Sequence, residues 1–82
     1  MKILLNHDEV EFIERIFLSI PKDILFSKIV ENNQQYVAID LTNADKLRDF
    51  FIEMQQEIGF DQTYGLTKEG AILERLIDKF FA

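Results

Sequence analysis

Residues able to carry chemistry are few in this chain, and their spacing argues against the common catalytic designs. His7 is the single histidine, and cysteine is absent. That leaves no pair of imidazoles and no thiolate for a zinc site, no cysteine nucleophile and no disulfide. His7 also falls at a predicted helix start, the place of an exposed first-turn residue rather than the base of a triad. Ser19 and Ser27 lack the G-x-S-x-G surroundings of an activated serine, and Gly59, Gly65 and Gly70 do not make a phosphate-cradling loop. Fifteen Asp and Glu supply carboxylates in plenty. A calcium loop counted from Asp61 fails, however, because Leu66 stands at its glycine position and Ile72 at its closing glutamate. Glu74 and Asp78 lie one helical turn apart, a pair that can meet a partner's cation or simply form a wet face. No cofactor, no metal and no enzyme activity are expected.

The bulk composition agrees. The 82 residues are 48% hydrophobic, with eight Phe, and 29% charged, which is enough apolar matter for one small packed domain spanning residues 1–82. A net charge of −6 repels phosphate backbones unless the nine Lys and Arg gather on one face, and along the sequence they are dispersed among acids and apolar residues. Nucleic acid is therefore not an expected partner. No apolar run approaches the roughly 18 to 20 residues that span a bilayer, and the apolar stretch after Met1 is too short for a signal peptide. A cytoplasmic location without membrane contact is the expectation.

The elements that would position these residues follow from periodicity. Residues 2–5 are a candidate short strand. Asn6 and Glu9 have the N-x-x-E spacing of a capping box, so a helix starts there. Val10, Ile13, Ile16, Phe17 and Ile20 form its predicted apolar stripe, and Pro21 disfavours a helical Ile20. Ile24–Val30 and Gln35–Leu41 read as a β-hairpin around the polar Glu31-Asn32-Asn33-Gln34, with Val37, Ile39 and Leu41 on one face. A helix opening at Pro21 and running through Lys28 is the alternative for the first of those segments. Thr42 then caps a helix over Asn43–Ile58, with Leu47, Phe50, Phe51, Met54 and Ile58 as its stripe and Gly59 as its stop. After a loop anchored by Tyr64, Thr67 caps a last helix that buries Leu73, Leu76, Ile77 and Phe80. The fold class is α+β: an N-terminal helix, a hairpin with residues 2–5 as a third strand, and two C-terminal helices packed on the sheet.

The segment from Gly59 to Asp78, GFDQTYGLTKEGAILERLID, resembles the C-terminal signature G-F-D-x-x-Y-x-x-T-x-E-G-x-x-L-E-x-L-I-D of a family of small uncharacterised bacterial proteins. That resemblance implies a bacterial source and no particular activity. Tyr64-Gly65-Leu66-Thr67-Lys68-Glu69-Gly70 with Leu73 also looks like the exit from the wing of winged-helix repressors. Only Gly59 to Tyr64 would be left for the wing, and the helix placed for recognition carries Asp45, Asp49, Glu53 and Glu57 against Lys46 and Arg48.

Without chemistry, surplus apolar residues become the functional signal. Phe12, Leu18, Ile52 and Phe81 fall off the stripes of their helices. With Tyr64, Glu74 and Asp78 they make up a candidate interaction surface. The expected role is protein–protein contact, with another protein or by homodimerisation. The main alternative is an acidic inhibitor or immunity-type protein that covers a basic enzyme surface. A winged-helix-like DNA-binding regulator is the remaining one.

Overall fold

The computed structural model of the chain describes residues 1–58 and 67–81. It is an α+β fold in the order β1 (Lys2–Leu5), α1 (His7–Ile16), a 3₁₀ turn (Phe17–Ser19), β2 (Ser27–Glu31), β3 (Gln34–Ala38), α2 (Leu41–Ile58) and α3 (Lys68–Lys79). The three strands form one antiparallel sheet in the order β1-β3-β2, with Ile3 opposite Val37 and Ile29 opposite Tyr36. The third strand expected over residues 2–5 is therefore real and pairs with the far strand of the hairpin. Met1 extends that pairing, because its ammonium donates to the Ile39 carbonyl (2.7 Å) and its own carbonyl accepts from the Ile39 N–H (3.0 Å).

Alternation along the strands decides which face is covered. Ile3, Leu5 and Val37 point into a single core shared with Val10, Phe12 and Ile13 of α1, Leu47 and Phe51 of α2, and Leu73 and Leu76 of α3. The opposite face carries the cross-strand row Leu4, Tyr36 and Ile29, with the Lys2 ammonium 4.8 Å from the centre of the Tyr36 ring and paired with Glu31 at 3.0 Å. Phe51 and Phe80 meet edge to face at 5.7 Å between α2 and the end of α3.

The hairpin turn is tighter than a four-residue loop. Glu31 and Gln34 pair directly, so Asn32 and Asn33 are the two turn residues, both at positive φ (52° and 64°). Two left-handed positions match the right-handed strand twist, and asparagine tolerates that region better than most side chains.

Helix α1 carries the full capping box: Glu9 N–H donates to Asn6 Oδ1 (2.9 Å) and Asn6 N–H donates to Glu9 Oε1 (2.8 Å). It ends at Ile16, four residues before Ile20, which is extended as its neighbour Pro21 requires. Phe17 thus leaves the helical phase and is 49% exposed, contrary to its place in the predicted stripe. Phe12 corrects the expectation of a surface residue. It is 2% exposed, because α3 packs against α1 and widens the covered arc beyond one stripe.

Two further boundaries differ. Residues 21–26 are neither the start of a strand at Ile24 nor a helix through Lys28. A single turn, Ile24 N–H to Pro21 carbonyl (3.1 Å), leads into a strand that begins at Ser27. Helix α2 begins at Leu41 and its cap is Asp40 rather than Thr42, since Asp40 Oδ1 accepts the Asn43 N–H at 2.7 Å. Leu41 is consequently an exposed first-turn residue and leaves the Val37–Ile39 strand face. Thr67 caps α3 as expected, its Oγ1 accepting from the Gly70 N–H (2.9 Å). Gly70 is buried, and Gln55 of α2 donates to its carbonyl (3.3 Å), so the close approach of α2 leaves little room for a side chain there. The predicted Gly59 stop, the Phe60 contact and the Tyr64 anchor lie outside the described residues.

Candidate interaction surface

The proline turn builds an apolar depression on the surface. Phe17 and Leu18 come from the 3₁₀ turn, Ile20 and Pro21 follow, and Leu25 and Phe26 return to the sheet to close a cleft of about 380 Å³. The sequence folds this way because Pro21 ends the helical run while Ile20 and Ile24 are both anchored in the core. The residues between and beside those anchors are forced outward. Leu18 is 99% exposed and Leu25 67%. Phe17 and Phe26 stand edge to face at 6.2 Å and hold the cleft's shape, and the Lys28 ammonium lies 5.9 Å from the Phe17 ring while pairing with Glu14 at 3.6 Å. Leu25 is fixed through its backbone, whose N–H donates to Asn43 Oδ1 (3.1 Å).

Asn43 in turn donates both its backbone N–H and its side-chain amide to Asp40. Those bonds, the backbone one first, hold the Asp40 carboxyl below the ordinary carboxylate value, and the nearby chain amine and Lys46 act in the same direction. The loop bearing Leu25 is thus tied to the start of α2 by a charged cap.

A second organised group lies at the other end of α1. Glu9 is fully buried, and its Oε1 accepts from both the Asn6 N–H and the Lys79 ammonium. Lys79 also donates to the Leu4 carbonyl (3.0 Å), and Arg75 Nε lies 4.0 Å from Glu9 Oε2, which has no hydrogen-bond partner among the described residues. One carboxylate therefore joins β1, the start of α1 and the last turns of α3. With one acid and two bases facing it, this node is a clamp. Among the described residues no three His, Cys, Asp or Glu converge in a way that could hold a metal ion.

The residues singled out from sequence scatter. Leu18 lines the cleft, and Phe12 is in the core. Ile52 is half-buried on α2, and Phe81 is exposed with its ring 5.1 Å from the Arg48 guanidinium. Glu74 and Asp78 are exposed on α3, and Tyr64 lies outside the described residues. Of the described members of the set, Leu18 alone lies on the cleft. Phe17 and Leu25 were missed because periodicity placed both inside regular elements. The available signal was Pro21, which breaks the pattern on either side of itself.

No family model, curated protein or solved structure matches the chain. No helix among the described residues is long and apolar enough to cross a membrane.

Proposed function

We propose that this chain is a non-catalytic protein that acts by binding another protein through the Phe17–Leu18–Leu25 face. The observation that carries the reading is Leu18, held almost wholly in water beside two other exposed large apolar residues and a cleft they share. Single exposed leucines are ordinary, but a contiguous group around a depression is the usual composition of a contact site. Burying the exposed parts of such residues contributes roughly 25 cal/mol per Å².

Affinity capture with the full chain, compared with the double variant Leu18→Asp, Leu25→Asp, tests it. Both side chains point to water, so the variant folds, and the expected result is loss of the captured protein with an unchanged circular dichroism spectrum. Capture that is indifferent to both substitutions would sink the reading. A second copy of the chain is the other occupant this face allows, and sedimentation of the wild type and the variant separates the two.

A second reading has its own observation. Asp49, Glu53 and Glu57 of α2 and Glu74 and Asp78 of α3 are exposed and carry no ion pair among the described residues. An unneutralised acidic helical surface suits an inhibitor that covers a basic enzyme site. In that case capture weakens steeply with salt and survives the Leu18 and Leu25 substitutions.

A further inference from the structure

We propose that the partner enters as an extended segment that adds to the outer edge of β2 and places a large apolar side chain, next to a carboxylate, in the cleft. This rests on the interaction reading above and adds the chemistry of the partner. Three observations converge on it.

The first is the strand edge. Among the described residues β2 pairs only with β3, so one side of Ser27–Glu31 offers unpaired backbone donors and acceptors. No proline blocks it, and Val30 is largely exposed. Such an edge is a ready template for an incoming strand.

The second is continuity. Phe26, a wall of the cleft, immediately precedes Ser27, and Lys28 of β2 lies over Phe17 on the opposite wall. A strand running along β2 therefore arrives at the cleft within one or two residues. The cleft's volume is on the scale of one or two large side chains, which suits an anchor residue better than the whole apolar face of a helix.

The third is charge. Among the described residues seven of the nine Lys and Arg are held in ion pairs, and Lys22 and Lys68 are the exceptions. Lys22 lines the cleft. An ammonium left without a partner at an apolar mouth, in a chain of net charge −6, selects a carboxylate beside the apolar anchor. A second copy of the chain meets the long-range repulsion of −6 against −6, which makes it the weaker occupant.

The test is selection of peptides from a random displayed library on the immobilised full chain, followed by fluorescence anisotropy with a selected peptide. The expected peptides share an aromatic or aliphatic residue adjacent to Asp or Glu. Lys22→Glu, at an exposed and unpaired position, weakens binding about tenfold and turns a repeat selection toward Lys and Arg. Methylating alternate backbone nitrogens of the peptide abolishes binding on the phase that faces β2. Peptides with no acidic preference, equal binding to the Lys22→Glu chain, indifference to methylation, or no binders at all would each overturn the inference. Partner capture that depends on Leu18 and Leu25 but not on Lys22 keeps the broader reading and rejects this one. Capture that depends on none of the three rejects both.

Discussion

Replacing Lys79 by methionine keeps the length of the side chain and removes the ammonium shared by Glu9 Oε1 and the Leu4 carbonyl. Glu9 would then be a fully buried carboxylate holding only the Asn6 N–H, with the Arg75 guanidinium 4.0 Å from its other oxygen. Stripping one partner from a buried ion pair costs about 3 to 5 kcal/mol when nothing else balances the charge. Arg75 and the Asn6 bond remain here, and a third of the Lys79 side chain is already in water, so the cost falls to about 2 to 3 kcal/mol. Glu9→Gln is milder. Its amide carbonyl can still accept the Asn6 N–H, no charge is buried, and Lys79 keeps Leu4 and solvent, for a cost of about 1 to 2 kcal/mol. The double variant has neither the buried charge nor its counter-ion. It should therefore resemble Glu9→Gln, with a coupling of about 2 to 3 kcal/mol between the two sites, the whole cost of Lys79→Met alone. Urea denaturation of the four proteins at neutral pH, with slopes compared, measures this cycle. A domain of this size has roughly 4 to 12 kcal/mol to lose, so every variant stays within range. If Lys79→Met lies within about 0.5 kcal/mol of the parent, or the two single effects simply add, the clamp is not what joins α3 to the start of α1.

Other outcomes follow from the same geometry. Phe12→Ala should cost about 3 to 5 kcal/mol by leaving a core cavity, while Leu18→Ala, at a residue in water, should change stability by less than about 0.5 kcal/mol; thermal unfolding of both distinguishes core from surface. Asn33→Gly should raise stability by up to about 1 kcal/mol and Asn33→Val lower it by at least that much, since glycine suits a φ of 64° and a β-branched side chain does not; chemical denaturation reads both. The Asp40 carboxyl should titrate below an Asp in an unstructured peptide when followed by carbon-detected NMR. Because its folded value is the lower one, its contribution is fully present above the unfolded pKa and is lost as pH falls through the folded pKa, a loss that Asp40→Asn, which keeps the cap, should remove.

These predictions separate what local pattern could show from what it could not. The Asn6–Glu9 capping box, the Thr67 cap and the Leu47–Phe51–Met54 stripe were legible because each is decided within about one helical turn, by hydrogen bonds or periodicity that residues three and four apart make with one another. The start of α2 was misplaced for the same reason. Asp40 and Thr42 are both good caps by type, and the choice fell to Asp40, whose Oδ1 takes the Asn43 N–H and whose carbonyl takes the Ala44 N–H in the turn leaving β3. The sheet order was partly legible, since a strand at residues 2–5 can be read from apolar content, whereas its pairing with β3 rather than β2 depends on where α1 returns the chain.

The candidate surface was hardest to see, because exposure is set by what else packs nearby. Phe12 and Leu18 both sit off the predicted stripe of one helical pattern, and no property of their own distinguishes them. α3, more than fifty residues downstream, covers the first, and Pro21 ends the helix before the second can be turned inward. Glu9 shows the same logic in charge. As an N3 acid it is already explained by its cap, so nothing local calls for a counter-ion, and its burial becomes visible only when Lys79 arrives from the far end of the chain. Long-range closure thus turns one ordinary capping residue into a clamp and leaves one ordinary leucine in water. The exposed leucine is the stronger functional evidence, because burying Leu18 would have stabilised the isolated chain, and the fold holds it outward beside a cleft that it does not fill.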